Sequence, residues 1–240
     1  MEKKDNIVSY IKSDSVAKTV MEQIRKALIN KKLLPGDKLP TETELCATMG
    51  VGKSSIREAI RMLNILGVVE TKHGNGTYIS SSISDNSVNH LEYQLIIEYK
   101  NNTDIVELRS MFEPAYMILA MKKATPEDIK RITGIHESFK EKVKAQTQKA
   151  EDDLNFHRAI LEATHNPLII RIGLTIMQLF YASISHSMQK IPRRAVKDHL
   201  NILHAFVKKD QESLLKAVYK SFEGWLSMMD QNGENTGENQ

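Results

Sequence analysis

The sequence predicts a mainly α protein: a winged helix-turn-helix of three helices and a β-hairpin wing, then an all-helical bundle of six or seven helices. Three observations carry that expectation. Breakers are scarce, with 11 Gly and 6 Pro in 240 residues, and long stretches without them favour helix. Apolar residues recur at spacings of three and four through most of those stretches. A pair of short β-branched runs around a Gly-Asn-Gly tip interrupts the helical pattern once the third helix has ended.

The first helix is expected over SVAKTVMEQIRKALINKKL, residues 15–33, where Val16, Val20, Ile24, Ala27 and Leu28 share a face. Pro35-Gly36 breaks it. Thr41 and Glu44 have capping-box spacing, in which hydroxyl and carboxylate satisfy each other's backbone N–H. That box opens a short helix through about Met49. Gly50-Val51-Gly52 turns the chain into a third helix with Ile56, Ala59, Ile60 and Leu63 as its apolar stripe. GVVETKHGNGTYI then reads as strands Val68–Lys72 and Thr77–Ile79, joined through His73, Gly74, Asn75 and Gly76. This order assigns residues 1–80 to a winged helix-turn-helix domain.

Gly52-Lys53-Ser54 poses a choice between a phosphate-binding loop and a helix that reads DNA. A Walker loop requires G-x-x-x-x-G-K-[ST] after a buried strand. Ala47 stands where its first glycine belongs, and the segment before it is polar and helix-like, which argues against a nucleotide site. With the apolar stripe turned inward, Lys53, Ser54, Arg57 and Arg61 project from the other side of the helix, the two arginines on one face. A helix N-terminus with short hydroxyls, Ser54 and Ser55, suits phosphate oxygens, and arginine can meet a guanine edge with two parallel N–H bonds. The tip residues His73, Gly74 and Asn75 are expected in the minor groove, where glycine permits close backbone approach. Charge agrees: residues 1–80 carry 13 Lys+Arg against 9 Asp+Glu (+4) and the remainder 20 against 21 (−1), summing to the formal +3. For any one of these residues the plain alternative is a solvated basic helix face. Turn, stripe and wing in the right order favour DNA.

SSSISDNS lacks any periodic stripe, and residues 81–87 are assigned as a linker. From Val88 the pattern is helical, with breaks expected near Asn101-Asn102, Thr125-Pro126, Asn166-Pro167, Pro192 and Asp210. Residues 88–230 are assigned to the helical domain and the polar tail 231–240 to disorder. Met111, Met117 and Met121 are expected in the core. Cys46 is the single cysteine, so no intrachain disulfide can form and a cytoplasmic location is expected. No apolar run approaches the roughly 18 residues of a membrane helix, and no membrane partner is expected.

LLPGDKLPTETELCATMGVGKSSIREAIRMLNILGVVETKHGNGTYI resembles the N-terminal domain of GntR-type bacterial transcription regulators through its P-G-x-x-L-P-[ST]-E-x-x-L, R-E-A-[IL] and G-x-G-T motifs. In the FadR branch the resemblance implies DNA contacts at Thr43, Gly52, Lys53, Ser54, Arg57, His73 and Gly74. Three of these depart from the common pattern. Thr43 stands where an arginine is often found, Gly52 replaces serine or threonine, and Lys53 replaces arginine. Lysine cannot form the planar fork of arginine, so the operator preferred by that branch is not carried over. IVELRSMFEPAYMILAMKKAT, DLNFHRAILEATHNPLI and DHLNILHAFVKKD are similar, in that order, to segments of the all-helical FCD domain of the same branch. Together these imply a homodimeric, ligand-responsive regulator, more often a repressor, that binds a palindromic DNA operator and senses a small organic acid.

Asp153 and His157 are one helical turn apart and His199 follows on a later helix, so a carboxylate and two imidazoles can converge inside a bundle. By resemblance, FCD domains often hold one divalent transition metal (zinc, nickel or manganese) with an aspartate and three histidines, the last 22 residues after the second. Ser221 occupies that position here, and no histidine follows His204. Asp153, His157 and His199 are therefore the candidate metal ligands, and Asp153, His157, His199, Ser221 and Arg109 the candidate effector contacts. The rival readings are a metal-free pocket, a plain hydrogen-bonded Asp–His pair, and for Arg109 a surface salt bridge to Glu113. Two other functions remain in play. One is a metal-dependent hydrolase, which leaves the DNA-binding head unexplained; the other is a DNA-binding protein without an effector.

Overall fold

In a computed structural model of the chain, residues 15–81, 90–98 and 102–233 are described, with side-chain surroundings left out at 182–183 and 224–233. Two compact units, Met1–His90 and Leu91–Gln240, partition it. The expected linker lies almost wholly outside the described residues. So do the expected break near Asn101 and residues 234–240 of the tail.

The first unit contains α1 (Val16–Ile29), α2 (Glu42–Met49), α3 (Lys53–Ile65), β1 (Val69–Lys72) and β2 (Gly76–Ile79). α1 stops four residues short of the expected end, because Lys31 takes a left-handed φ of 55° and the Leu33 amide closes back on the Ala27 carbonyl. Its first turn is rotated from expectation: Ala17 is buried, whereas Val16 is 43% exposed. α2 begins at the predicted capping box, Thr41 with Glu44, and ends on left-handed Gly50. The stripe of α3 buries Ile56, Ala59 and Leu63 against Val20, Ile24, Leu39, Leu45, Val69 and Ile79. The wing pairs antiparallel with Val69 opposite Ile79 and Lys72 opposite Gly76. Lys38 bridges to Tyr78 on the outer edge of β2, and the Leu39 amide donates to the Thr77 carbonyl. Glycine suits position 76, where φ is 116°, a conformation that residues with a Cβ rarely adopt.

The second unit is helical throughout its described length: α4 (His90–Glu98), α5 (Asn102–Lys123), α6 (Pro126–Ala145), α7 (Ala150–Glu162), α8 (Pro167–Lys190), α9 (Pro192–Lys208) and α10 (Gln211–Gly233). Thr125 with Asp128 caps α6, and Asn166 followed by Pro167 opens α8. One boundary was invisible in the sequence. Gln146 takes the left-handed φ of 58° that glycine usually supplies, so α6 and α7 separate without a Gly or Pro. α10 continues to Gly233, three residues into the segment expected to be disordered. α7 is the middle of the bundle, packed on α5, α6 and α8, while α10 packs on α9 and α5. Met117 and Met121 are buried, but Met111 is 71% exposed. Six residues separate Met111 from Met117, a rotation of about 240°, so they cannot share a face.

Candidate functional site

In the head, Gly52 caps α3 without any side-chain hydrogen bond to the first-turn amides. That leaves the positive end of the helix open to an anion. Lys53, Ser54, Arg57 and Arg61 are exposed along α3, with Ser55 half-buried beneath them. Thr43 and the tip residues His73, Gly74 and Asn75 are also exposed. At the tip, the Tyr78 hydroxyl donates to Asn75 Oδ1 at 3.0 Å, and Gly74 has a φ of 71°. A glutamate absent from the sequence-based set joins them: Arg57 Nε donates to Glu42 Oε2 at 2.8 Å, with Lys53 Nζ 4.0 Å from the same oxygen.

The second cluster is buried in the helical unit. His199 Nε2 lies 3.2 Å from Asp153 Oδ1 and 3.2 Å from His157 Nε2, which is 3.8 Å from Asp153 Oδ2. One donor atom from each residue falls within 4.8 Å of the others. All three side chains are under 10% exposed. Two imidazole nitrogens and a carboxylate facing one point can share the N–H of a neutral imidazole or hold a metal ion. Aromatic rings fix the arrangement. Phe156 stacks on His199 with centroids 4.1 Å apart and planes 14° apart, and His157 meets His199 edge-on at 5.0 Å.

Arg109 and Glu113, one turn apart on α5, lie behind His157. Arg109 Nε donates to Glu113 Oε2 at 2.6 Å, and Glu113 Oε1 sits 2.6 Å from His157 Nδ1, off the line of an ordinary hydrogen bond. The Arg109 guanidinium lies between the rings of Phe180 and Phe222, 5.5 and 5.3 Å from their centroids. The expected surface pair with Glu113 thus exists but is not on the surface, because this face of α5 packs on α7, α8 and α10. Glu113 was missed as a site residue. The available signal was its position as the sole charge in SMFEPAYMILAM, where an unpaired carboxylate is too costly to bury.

Burial pushes the Glu113 carboxyl up, but Arg109 and His157 outweigh it and hold it well below the usual carboxylate range. Asp153 is likewise lowered, burial being overcome by His199, His157 and Arg109. Burial lowers His199 despite Asp153, so its imidazole is neutral at neutral pH, the form a metal requires. His136 on α6 is 1% exposed with neither ring nitrogen hydrogen-bonded, packed 6.2 Å from Phe156; burial keeps it neutral too.

The Asp153–His157–His199 cluster faces a small pocket, partly open to solvent, that Arg109, Ser187, Arg194, Asp198 and Ser221 also line. Ser221 Oγ donates to the Val218 carbonyl at 2.7 Å, so its hydroxyl is engaged within α10. The donor set fits a metal held by three protein ligands with positions open to the pocket, a two-histidine, one-carboxylate arrangement. Glu113 behind Nδ1 would orient His157 so that Nε2 faces the ion.

The sequence pattern of bacterial regulatory proteins of the gntR family matches residues 16–79, and that of the FCD domain matches residues 104–223. The uncharacterized HTH-type transcriptional regulator YcbG of Bacillus subtilis (strain 168) is 29% identical over 220 residues, covering 90% of this chain and 89% of its own. The galactonate operon transcriptional repressor of Escherichia coli (strain K12) is 28% identical over 172 residues, 70% of this chain and 73% of its own. Among solved structures, a Streptococcus agalactiae GntR protein superposes with a TM-score of 0.63 at 23% identity, covering 90% of this chain and 99% of that one. These matches are to transcription regulators, not to enzymes. With a DNA-binding head of one family joined to a helical domain that fills half the chain, the protein belongs to the GntR family of bacterial transcription regulators, in the branch that carries an FCD domain.

Proposed function

We propose that this regulator is a cytoplasmic homodimer that binds a palindromic operator through α3 and the wing, and that a small organic acid entering the FCD pocket changes that affinity. The observation that supports it most is the convergence of Asp153, His157 and His199 at the floor of a pocket within the helical unit. A zinc, nickel or manganese ion held by those three residues would supply a Lewis-acidic partner for a carboxylate or hydroxyl oxygen of the effector. The chain's own contribution is to keep His199 neutral, to hold Asp153 ionised and to orient His157 through Glu113. Arg109 is committed to Glu113, so in this reading it supports the site's charge from behind, and Arg194 with Asp198 lines the mouth. The Escherichia coli relative's name, a repressor of a galactonate operon, supports both repression and a hydroxylated carboxylate as effector. On DNA, Thr43, Gly52, Lys53, Ser54 and Ser55 meet phosphates, Arg57 and Arg61 meet bases, and His73, Gly74 and Asn75 meet the minor groove.

A band-shift assay with metal-loaded protein, a self-selected duplex and a panel of hydroxy- and dicarboxylates tests this. At least one acid should release the duplex from the wild type but not from His157→Ala, which should bind DNA equally well. Release from both proteins alike would move the sensing site elsewhere. A second reading, favoured by the engagement of the Ser221 hydroxyl within its own helix, has the acid bound by His157 and His199 directly. It predicts the same release after metal has been stripped.

A further inference from the structure

We propose that Glu42 is a positioning residue for DNA recognition: it tethers Arg57 for base reading and weakens the grip of the head on phosphates of any sequence. The inference rests on α3 being the recognition helix. Glu42 is the first residue of α2, where the reciprocal Thr41–Glu44 box fixes the backbone. From there its carboxylate reaches across to α3, accepting from Arg57 Nε at 2.8 Å and lying 4.0 Å from Lys53 Nζ.

Two features of this contact bear on recognition. First, the carboxylate takes the Nε edge of the guanidinium. Among the described residues, the two terminal amino groups of Arg57 have no protein partner, and that pair can form a two-bond fork on guanine O6 and N7. An exposed arginine otherwise loses its rotamer freedom on binding; a side chain already tethered has less to lose. Second, a carboxylate among cations and hydroxyls opposes phosphate. It leaves Lys53 and Arg57 partly neutralised towards a uniform polyanion, so non-specific affinity falls while base reading is kept. Stability does not account for the contact. Arg57 and Lys53 side chains are each 55% exposed and Glu42 is 34% exposed, and such surface pairs contribute little to folding.

The test uses the full chain, a duplex selected by the wild type from a random pool, and a scrambled duplex of equal length. For Glu42→Ala the expectation is tighter binding to the scrambled duplex and a roughly tenfold fall in the ratio of selected to scrambled affinity. The log–log salt slope on the scrambled duplex should steepen by about one, the value of one further phosphate contact. Glu42→Gln keeps an oxygen for Arg57 Nε but loses the charge. It should tighten scrambled binding equally, keep the wild-type ranking of base substitutions and show an intermediate ratio. Both variants should melt with the wild type. Arg57→Ala separates the two layers. If it retains the full ratio, the recognition-helix assignment fails and the Glu42 role with it. If Arg57→Ala loses the ratio while Glu42→Ala keeps it within twofold, α3 stands and the role of Glu42 is refuted.

Discussion

Two arginine–glutamate pairs make the same short Nε–carboxylate contact, one along a single helix and one between two helices, in opposite surroundings. In the helical unit Arg109 Nε meets Glu113 at 2.6 Å with side chains 8% and 5% exposed; in the head Arg57 Nε meets Glu42 at 2.8 Å with 55% and 34% exposed. Burial makes the first pair indivisible, since removing one partner strands a charge away from water. Exposure makes the second pair nearly dispensable to the fold, since water solvates either charge once its partner is removed. The chemistry of the residues is the same, and the dielectric around them decides whether the fold depends on the pair.

The largest effect should come from splitting the buried pair. Glu113→Ala should cost the helical unit about 3–5 kcal/mol in chemical denaturation followed by far-UV circular dichroism. The double replacement Arg109→Met with Glu113→Leu should recover most of that loss; failure to recover would mean that the pair does more than satisfy itself. In the head the split should cost almost nothing in stability. Arg57→Ala should shift unfolding by under about 0.5 kcal/mol while lowering discrimination at the base pair it reads by roughly 10- to 100-fold. A folded Arg57→Ala protein with unchanged discrimination would end the contrast.

A smaller effect sharpens the comparison from the middle ground. Asp128, its side chain 12% exposed, lies between the two cases but nearer the buried one, accepting from the Thr125 amide, the Thr125 hydroxyl and His165 Nε2. Burial raises its carboxyl, yet these bonds outweigh burial and the folded value is lowered. Its contribution is therefore complete above the unfolded aspartate value of about 3.9 and is lost as pH falls through the lower folded value. The gap in stability between wild type and Asp128→Asn should be present at about pH 6 and close as acid is added. Thr125→Ala removes the reciprocal cap and should cost about 1 kcal/mol, visible as a modest fall in melting temperature.

How much was legible in the sequence follows the same divide. The head is built from neighbours in the chain: the Thr41–Glu44 box, the α3 stripe and the Gly-Asn-Gly tip each declare themselves within a few residues. The breaks at Thr125-Pro126, Asn166-Pro167 and Pro192 were legible for the same reason, because proline acts on the bond beside it. What was not legible came from tertiary context. Nothing local marks Gln146 as a left-handed helix end, or Val16 as the exposed member of its turn. Asp153 and His157 were visible as a pair because one helix carries both, but Glu113, from an earlier helix, reaches His157 only in the folded bundle. Glu42 was hidden in the same way, fifteen residues from the arginine it touches.

The central claim is that Asp153, His157 and His199 form a metal centre despite the serine at 221. Elemental mass spectrometry of untagged protein, purified without chelator, tests it most directly. Close to one equivalent of zinc, nickel or manganese per chain is expected, with its loss from a folded His157→Ala variant. No bound metal, even after incubation with an excess of each of the three ions, would contradict it and leave the two imidazoles and the carboxylate as direct contacts of the effector.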